Sequence, residues 1–480
     1  MLFKWSFAEN LGMKIYYRLT KVFIGCICYM SSQAQSPVNS GNEAITHRLD
    51  EYLIAANRLF QFNGTALVAK QGVILLNKGY GWRDAELKTR NNSNSIYHLG
   101  SITKSFTGAA ILKLQEEGKL SLHDKLVKYL PEYAIGAEIT IDNLLRHQSG
   151  IYDLKYDSSF YRSENAEGTR PMSKERVFSL FKNKPLAFEP GTKTEYSNTG
   201  YIIAGWIIEK VTGKPYEQVI REWFFESLNM KHSGFDFIKL KSPDKATGYA
   251  VLNNKIQRTI APLDSTAAYA AGGMYSTAED LYKWSRAILH THSLLSKRSW
   301  RLSYTLPSKK VQFGLGWHIA FDDGKRYIMQ YGNIRGFGSY YWQGLDDDIV
   351  IILLCNQDSQ SELTDLEPAL MNVWKIVKGL PYATPKDTSE VHVNETALKS
   401  YTGTYTGNNL EVIITYKDGR LYAESPKGSL GLSPMYAAGE TRFFLRIVDI
   451  SFEFVPDKEG KVTKMIVVQD GQSFEFEKVK

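Results

Sequence analysis

Near residue 380 the hydrophobic pattern of this chain changes period, and no single repeating architecture accommodates both sides of the change. Upstream, apolar residues recur at helical spacing as well as in alternation. The stretch from Gly379-Leu380-Pro381 to Thr388 then holds two prolines and little apolar content, as a linker should. Beyond it the pattern is almost purely that of strands. Leu410 to Tyr416 and Arg420 to Glu424 flank the turn Lys417-Asp418-Gly419, Phe443 to Val448 and Ser451 to Val455 flank another, and Asp470-Gly471 marks a third. With 480 residues the chain also exceeds the size at which one hydrophobic core usually stops growing. Two units are therefore expected: residues 44–380, a linker over 381–390, and a small antiparallel barrel or sandwich over 391–480.

The larger unit opens with Ile45, Leu49, Leu53, Ala56 and Leu59 at helical spacing, which predicts an amphipathic helix over Ala44 to Phe60. Thr65 to Lys70 and Val73 to Lys78, parted by Gln71-Gly72, predict a hairpin. Helices dominate the middle, among them Ser101 to Glu117 stopped by Gly118 and Thr199 to Val211 stopped by Gly213. Strands return at Arg326 to Tyr331, Ser339 to Gln343 and Ile349 to Leu354, before a helix over Glu367 to Lys378. This order suggests an α/β sandwich whose sheet is built from both ends of the segment, with a helical insertion beside it.

The N-terminus carries Lys14, Arg18 and Lys21, then the apolar run Val22 to Met30, then Ser32-Gln33-Ala34, which reads as a secretory signal peptide over 1–34. The run is too short to span a bilayer stably, so no membrane span is expected in the mature chain and the protein is expected to be periplasmic or secreted. Phe23-Ile24-Gly25-Cys26 faintly resembles a lipoprotein box, with anchoring at Cys26 as the lesser alternative. Cys26 and Cys28 lie in the leader, leaving Cys355 alone, so neither an internal disulfide nor a cysteine zinc site is available to the mature chain. The net charge of +7 includes four basic residues and one acid before residue 35; without them 54 basic face 50 acidic residues, a balance of +4. It is dispersed, with no basic block of the kind that nucleic acid requires. His290-Thr291-His292 lacks a carboxylate partner and reads as a surface loop, and no cofactor or metal is expected.

Ser101-Ile102-Thr103-Lys104 opens the first long helix of the middle section. Residues three apart share a helix face, so the Lys104 amine can sit against the Ser101 hydroxyl. A serine hydroxyl is a weak nucleophile until a base removes its proton, and a desolvated lysine can be neutral enough to do so. The helix start also offers a backbone N–H to a developing oxyanion. Yet S-x-x-K arises by chance roughly two or three times in a chain of this length, so context has to carry the reading. Tyr196-Ser197-Asn198, just before a helix, can bring a phenol that relays protons and an amide that binds a substrate, or it can be a turn with a helix cap.

The ordered set Phe62-Asn63-Gly64-Thr65, His98-Leu99-Gly100-Ser101, Leu144-Leu145-Arg146-His147-Gln148-Ser149-Gly150, Tyr196-Ser197-Asn198, Ala271-Gly272-Gly273-Met274-Tyr275-Ser276-Thr277 and Phe313-Gly314-Leu315-Gly316-Trp317 resembles the serine β-lactamases of the class C type, the low-molecular-weight penicillin-binding peptidases, and the related esterases and D-amino-acid peptidases. The resemblance covers about residues 44–380. It implies a β-lactamase/transpeptidase-like sandwich with an all-helical lobe, and a site with Ser101 as nucleophile, Lys104 as proton acceptor and Tyr196 assisting. It places Asn198 at the substrate and gives His147 a structural part.

The third motif departs from the family pattern. Where relatives carry Lys-Thr-Gly or His-x-Gly, this chain has Gln330-Tyr331-Gly332, followed by Gly336-Phe337. Gln330 can hydrogen-bond but brings no charge to a substrate carboxylate. Arg335, in the connecting loop, is expected to restore a positive field, Gly332 to let a ligand approach the backbone, and the Asn333 N–H to serve as the second oxyanion donor. These readings together suggest an exported serine hydrolase acting through an acyl-enzyme on an amide or ester, with D-amino-acid peptides or esters favoured over β-lactams. Its substrate is then a small molecule or peptide, peptidoglycan fragments included. The alternative is a catalytically silent relative that binds cell-wall fragments as a sensor or scaffold.

Overall fold

The structure is a computed structural model and describes residues 37–157, 160, 166–253, 256–291, 293–308, 311–358, 366–385, 391–408, 410–426, 430–445, 450–469 and 472–479. The leader expected over 1–34, with Cys26, lies outside the described residues, as do His292, part of the 381–390 linker and the Asp470-Gly471 turn.

Helix α1 (Pro37–Arg58) precedes β1 (Gly64–Lys70) and β2 (Val73–Tyr80), the expected hairpin. At the other end come β3 (His318–Asp322), β4 (Lys325–Ile334), β5 (Phe337–Gly344) and β6 (Ile349–Cys355). These six strands form one antiparallel sheet in the order β2-β1-β6-β5-β4-β3, so β1 from the N-terminal side pairs directly with β6 from the C-terminal side. The sheet is thus closed by the two ends of the segment, as its element order suggested. Strand β3 was not anticipated. Its signal was Asp323-Gly324, both with positive φ (47° and 74°), the two-residue hairpin turn that joins β3 to β4.

The run Ile349-Val350-Ile351-Ile352-Leu353-Leu354-Cys355 explains how this sheet is buried. Ile349, Ile351, Leu353 and Cys355 point into a core shared with α1 and the C-terminal helix Glu367–Lys378, where they meet Leu49, Leu53, Leu370 and Val373. Val350, Ile352 and Leu354 point the other way, into the core of the helical lobe with Phe106, Trp284 and Leu281. A strand covered on both faces has no reason to alternate with polar residues, and this one does not.

The lobe between β2 and β3 holds α2 (Thr103–Glu116), α3 (Asn198–Thr212), α4 (Ser265–Gly272) and α5 (Ala278–His290). Gly213, at φ 68°, closes α3 in the left-handed conformation that a terminal glycine permits.

Residues 403–478 contribute a second antiparallel sheet of nine strands with its own core around Tyr405, Leu421, Phe452, Phe454 and Met465. Its two edge strands are Ser433–Pro434 and Tyr436–Ala437, which are all but adjacent in sequence. A sheet whose two edges lie at the same point of the chain must curl almost into a barrel, which leaves little strand edge open. Among the described residues, no helix is long and apolar enough to cross a membrane.

Candidate active site

Ser101 does not open the long helix itself. It sits in the tight turn Gly100–Ile102, and α2 starts at Thr103. Gly100 has φ +59°, and its Cα faces the strand across the site so closely that a Cβ there would stand 3.2 Å from Asn333 N. Thr103 secures the turn, its hydroxyl donating to Gly100 O at 2.8 Å and accepting from Met274 N at 3.2 Å.

One helical turn on, Lys104 is fully buried. Its Nζ lies 3.0 Å from Ser101 Oγ, 2.8 Å from Asn198 Oδ1 and 2.7 Å from Ala271 O. The two carbonyl oxygens can only accept, so a neutral lysine gives its two N–H bonds to them and turns its lone pair to the serine. Burial pulls the ammonium down to about 7; Asp153 opposes this and Lys155 adds to it. Lys104 is thus substantially neutral near neutral pH and aimed at the hydroxyl of Ser101.

Tyr196 donates its hydroxyl to Ser101 Oγ at 2.7 Å, and Lys104 Nζ stands 5.0 Å from the Tyr196 ring centre. Burial drives the phenol well above its usual value, the Ser101 hydrogen bond partly offsets this, and the Asp153 carboxylate adds to the rise. Tyr196 therefore remains protonated, suited to passing a proton on rather than to taking the first one. With Tyr196 donating to Oγ, the serine's own proton is left for Lys104.

Ser197 caps α3, its hydroxyl accepting from Gly200 N at 3.0 Å, which leaves Asn198 to reach Lys104. His147, at φ +59° and 1% exposed, accepts from Ser197 N through Nδ1 at 3.0 Å and stacks beside Tyr196 with ring centres 4.4 Å apart. Burial, with Lys104 and Lys155 nearby, holds this imidazole well below its usual value, so it is a neutral strut for the tyrosine loop. Asp153 joins in from a neighbouring segment, accepting from Thr199 N at 3.1 Å. Asp153 and Lys155 carry no motif in the sequence, and only the fold brings them to Tyr196.

The third motif lies on β4 beside this turn, and both Gln330 on the strand and Arg335 in the loop that follows it are buried with a backbone partner. Gln330 is 4% exposed and donates through Nε2 to Gly316 O at 2.7 Å. Arg335 is 8% exposed and donates through Nε to Ala261 O at 3.0 Å. Gly332 makes a close approach, though to the protein's own chain: a Cβ there would stand 1.9 Å from Leu99 O and 2.3 Å from Ser339 Oγ. Its bareness lets β4 lie against the turn that carries Ser101 and brings the Asn333 backbone alongside Gly100. Asn333 Nδ2 meanwhile donates to the Tyr331 hydroxyl at 3.2 Å. Among the described residues, no cluster of three or more His, Cys, Asp or Glu side chains is arranged to hold a metal ion.

A family model described as Beta-lactamase matches residues 57–372. The putative penicillin-binding protein PbpX of Bacillus subtilis is 30% identical over 302 residues, which span 63% of this chain and 72% of that protein. Among solved structures, the octameric penicillin-binding protein homologue from Pyrococcus abyssi matches with a TM-score of 0.63 at 24% identity, covering 90% of this chain and 99% of that one. The D-amino acid amidase from Ochrobactrum anthropi SV3, complexed with D-phenylalanine, matches with a TM-score of 0.59 at 22% identity over 72% of this chain and 99% of that one. On the extent of these matches, the chain belongs to the β-lactamase family and is a serine hydrolase related to the penicillin-binding proteins.

Proposed function

We propose that this protein is an exported acyl-transfer hydrolase that cleaves amides or esters of D-amino acids through an acyl-enzyme on Ser101. The observation that carries the reading is the approach of a buried, largely neutral Lys104 to Ser101 Oγ at 3.0 Å, with both of its N–H bonds engaged elsewhere. Ser101 Oγ attacks the carbonyl carbon as its proton passes to Lys104. The tetrahedral oxyanion rests on the N–H groups of Ser101 and Asn333. As that intermediate collapses, the proton travels from Lys104 through the Tyr196 hydroxyl to the departing amine or alcohol. Water then repeats the sequence against the acyl group and frees Ser101.

Two features favour this substrate class over β-lactams. The third motif presents no cation, since Gln330 is neutral and buried, and the similar amidase is one named for D-amino acids. Export follows from the charged-then-apolar leader and its small-residue cleavage pattern.

Treatment with a fluorophosphonate, followed by intact-mass measurement, is expected to give one adduct on the native protein and none on Ser101→Ala. That variant should lose about a thousandfold or more in hydrolysis of D-phenylalanine amide, and the native enzyme should prefer this amide to its L-isomer. A native protein without an adduct would leave the silent, binding-only reading. An adduct that survives Ser101→Ala would move the nucleophile elsewhere.

A further inference from the structure

The family pattern sets a cation in the third motif, and here Gln330 is neutral while Gln330 and Arg335 are both buried and donate to backbone carbonyls. A different element delivers a lysine to the same site. Lys155, on the short turn Leu154–Tyr156, donates its ammonium to the main-chain oxygen of Tyr196. The ammonium lies 5.8 Å from the Tyr196 ring centre and 4.8 Å from that of Tyr156. The turn is itself bolted down. Asp153, 3% exposed, accepts from Lys155 N at 2.8 Å through one oxygen and from Thr199 N at 3.1 Å through the other, so the loop and the start of α3 share one carboxylate.

We propose that Lys155 is a positioning residue of this site, its ammonium tying the Tyr196 main chain in place over Ser101 and supplying the fixed positive charge that the third motif lacks. The inference rests on the mechanism above, in which Lys104 must be neutral to act. Among the described residues, the groups facing Lys104 are few. The loop contributes Asp153 and Lys155, and the tyrosine loop with α3 contributes Tyr196, Asn198 and Tyr201, the last with its ring centre 5.5 Å away. The turn at His147 contributes a neutral imidazole, and α4 contributes only the Ala271 carbonyl. Of these, Lys155 is the cation. Burial does most of the work of releasing the Lys104 proton, Asp153 resists it, and Lys155 assists. The sign follows directly: kcat/KM rises with pH as Lys104 loses its proton, and removing the charge of Lys155 lets Lys104 keep that proton to a higher pH.

The test is the pH profile of p-nitrophenyl acetate hydrolysis by the full chain and three variants. Lys155→Gln keeps a donor for the Tyr196 oxygen without the charge, Lys155→Met removes both, and Lys155→Arg keeps the charge. Loss of one nearby charge should move the acidic limb upward by about 0.5–1 unit in both neutral variants. Lys155→Met should in addition lose severalfold in kcat on the alkaline plateau, because the Tyr196 tether goes too, and Lys155→Arg should return the wild-type limb. Thermal melting checks that each variant is folded, and Lys155→Gln remains informative if Lys155→Met is not. A limb that stays in place in the neutral variants, while the native protein still forms its fluorophosphonate adduct, overturns the Lys155 assignment alone. Failure of the native protein to form that adduct removes the mechanism beneath it.

Discussion

The two sheets of this protein are built on opposite terms. The six-stranded sheet is buried on both faces at its centre, where β5 and β6 are buried along their whole length. Where backbone approaches closely it needs glycine: Gly332 admits the Leu99 carbonyl from the Ser101 turn, and Gly64 admits the backbone of Leu354 and Cys355 on the paired strand β6. The nine-stranded sheet is covered on one face. Leu410–Lys417 runs exposed, intermediate, buried, intermediate, buried, exposed, intermediate, exposed, and Gly419, in the turn that follows, has open space around it. In the first sheet glycine makes room for contact, whereas in the second it makes a turn with φ +80°. A sheet that must touch the turn carrying Ser101 is constrained at named backbone atoms, while a sheet that wraps its own core is constrained mainly by alternation. Gly407 is the exception in the second sheet, facing Glu475 O.

The comparison can be broken at three points. The largest effect on stability is expected from Phe454→Ala, which removes a ring that is 1% exposed and stacked on Tyr401 with centres 4.5 Å apart. A loss of about 3–5 kcal/mol is expected, because the cavity adds to the lost burial. Calorimetry should show one transition lowered while hydrolysis at 25 °C is unchanged; a matching fall in rate would show that the second sheet supports the site. Gly332→Ala should cost about 1–3 kcal/mol as β4 is forced from the Leu99 carbonyl, with at least a tenfold loss of acylation rate as the Asn333 N–H moves. Retained acylation, measured by fluorophosphonate labelling kinetics, would take Asn333 out of the oxyanion site. Gly419→Ala, by contrast, should cost about 1 kcal/mol from its backbone conformation alone and leave labelling untouched.

Much of the architecture was legible because it depends on local periodicity. The seven-residue apolar run at 349–355 and the alternation after 410 each declare how many faces of their sheet are covered. Turn residues mark the hairpins, the Asp323-Gly324 turn between β3 and β4 included. At the site, Ser101 and Lys104 were legible because three residues of helical rise fix their separation. The helix starts two residues later than its sequence pattern suggests, since the tight turn that precedes Thr103 has no composition of its own.

What the sequence carried by itself, then, was the candidate reacting groups in their family order, the change of pattern near residue 380 and the missing cation of the third motif. The tertiary structure alone decided which side chains those groups meet. Gln330 and Arg335 read as polar and available, yet each is buried and donates to a backbone carbonyl inside the protein. Lys155 read as one loop lysine among many, and became the cation at Tyr196 because Asp153 pins its turn to the start of α3. Burial and partner choice depend on segments that lie tens to hundreds of residues apart, and for Lys104 it is burial that sets the protonation state. No local pattern in a chain records how much water that distant packing excludes.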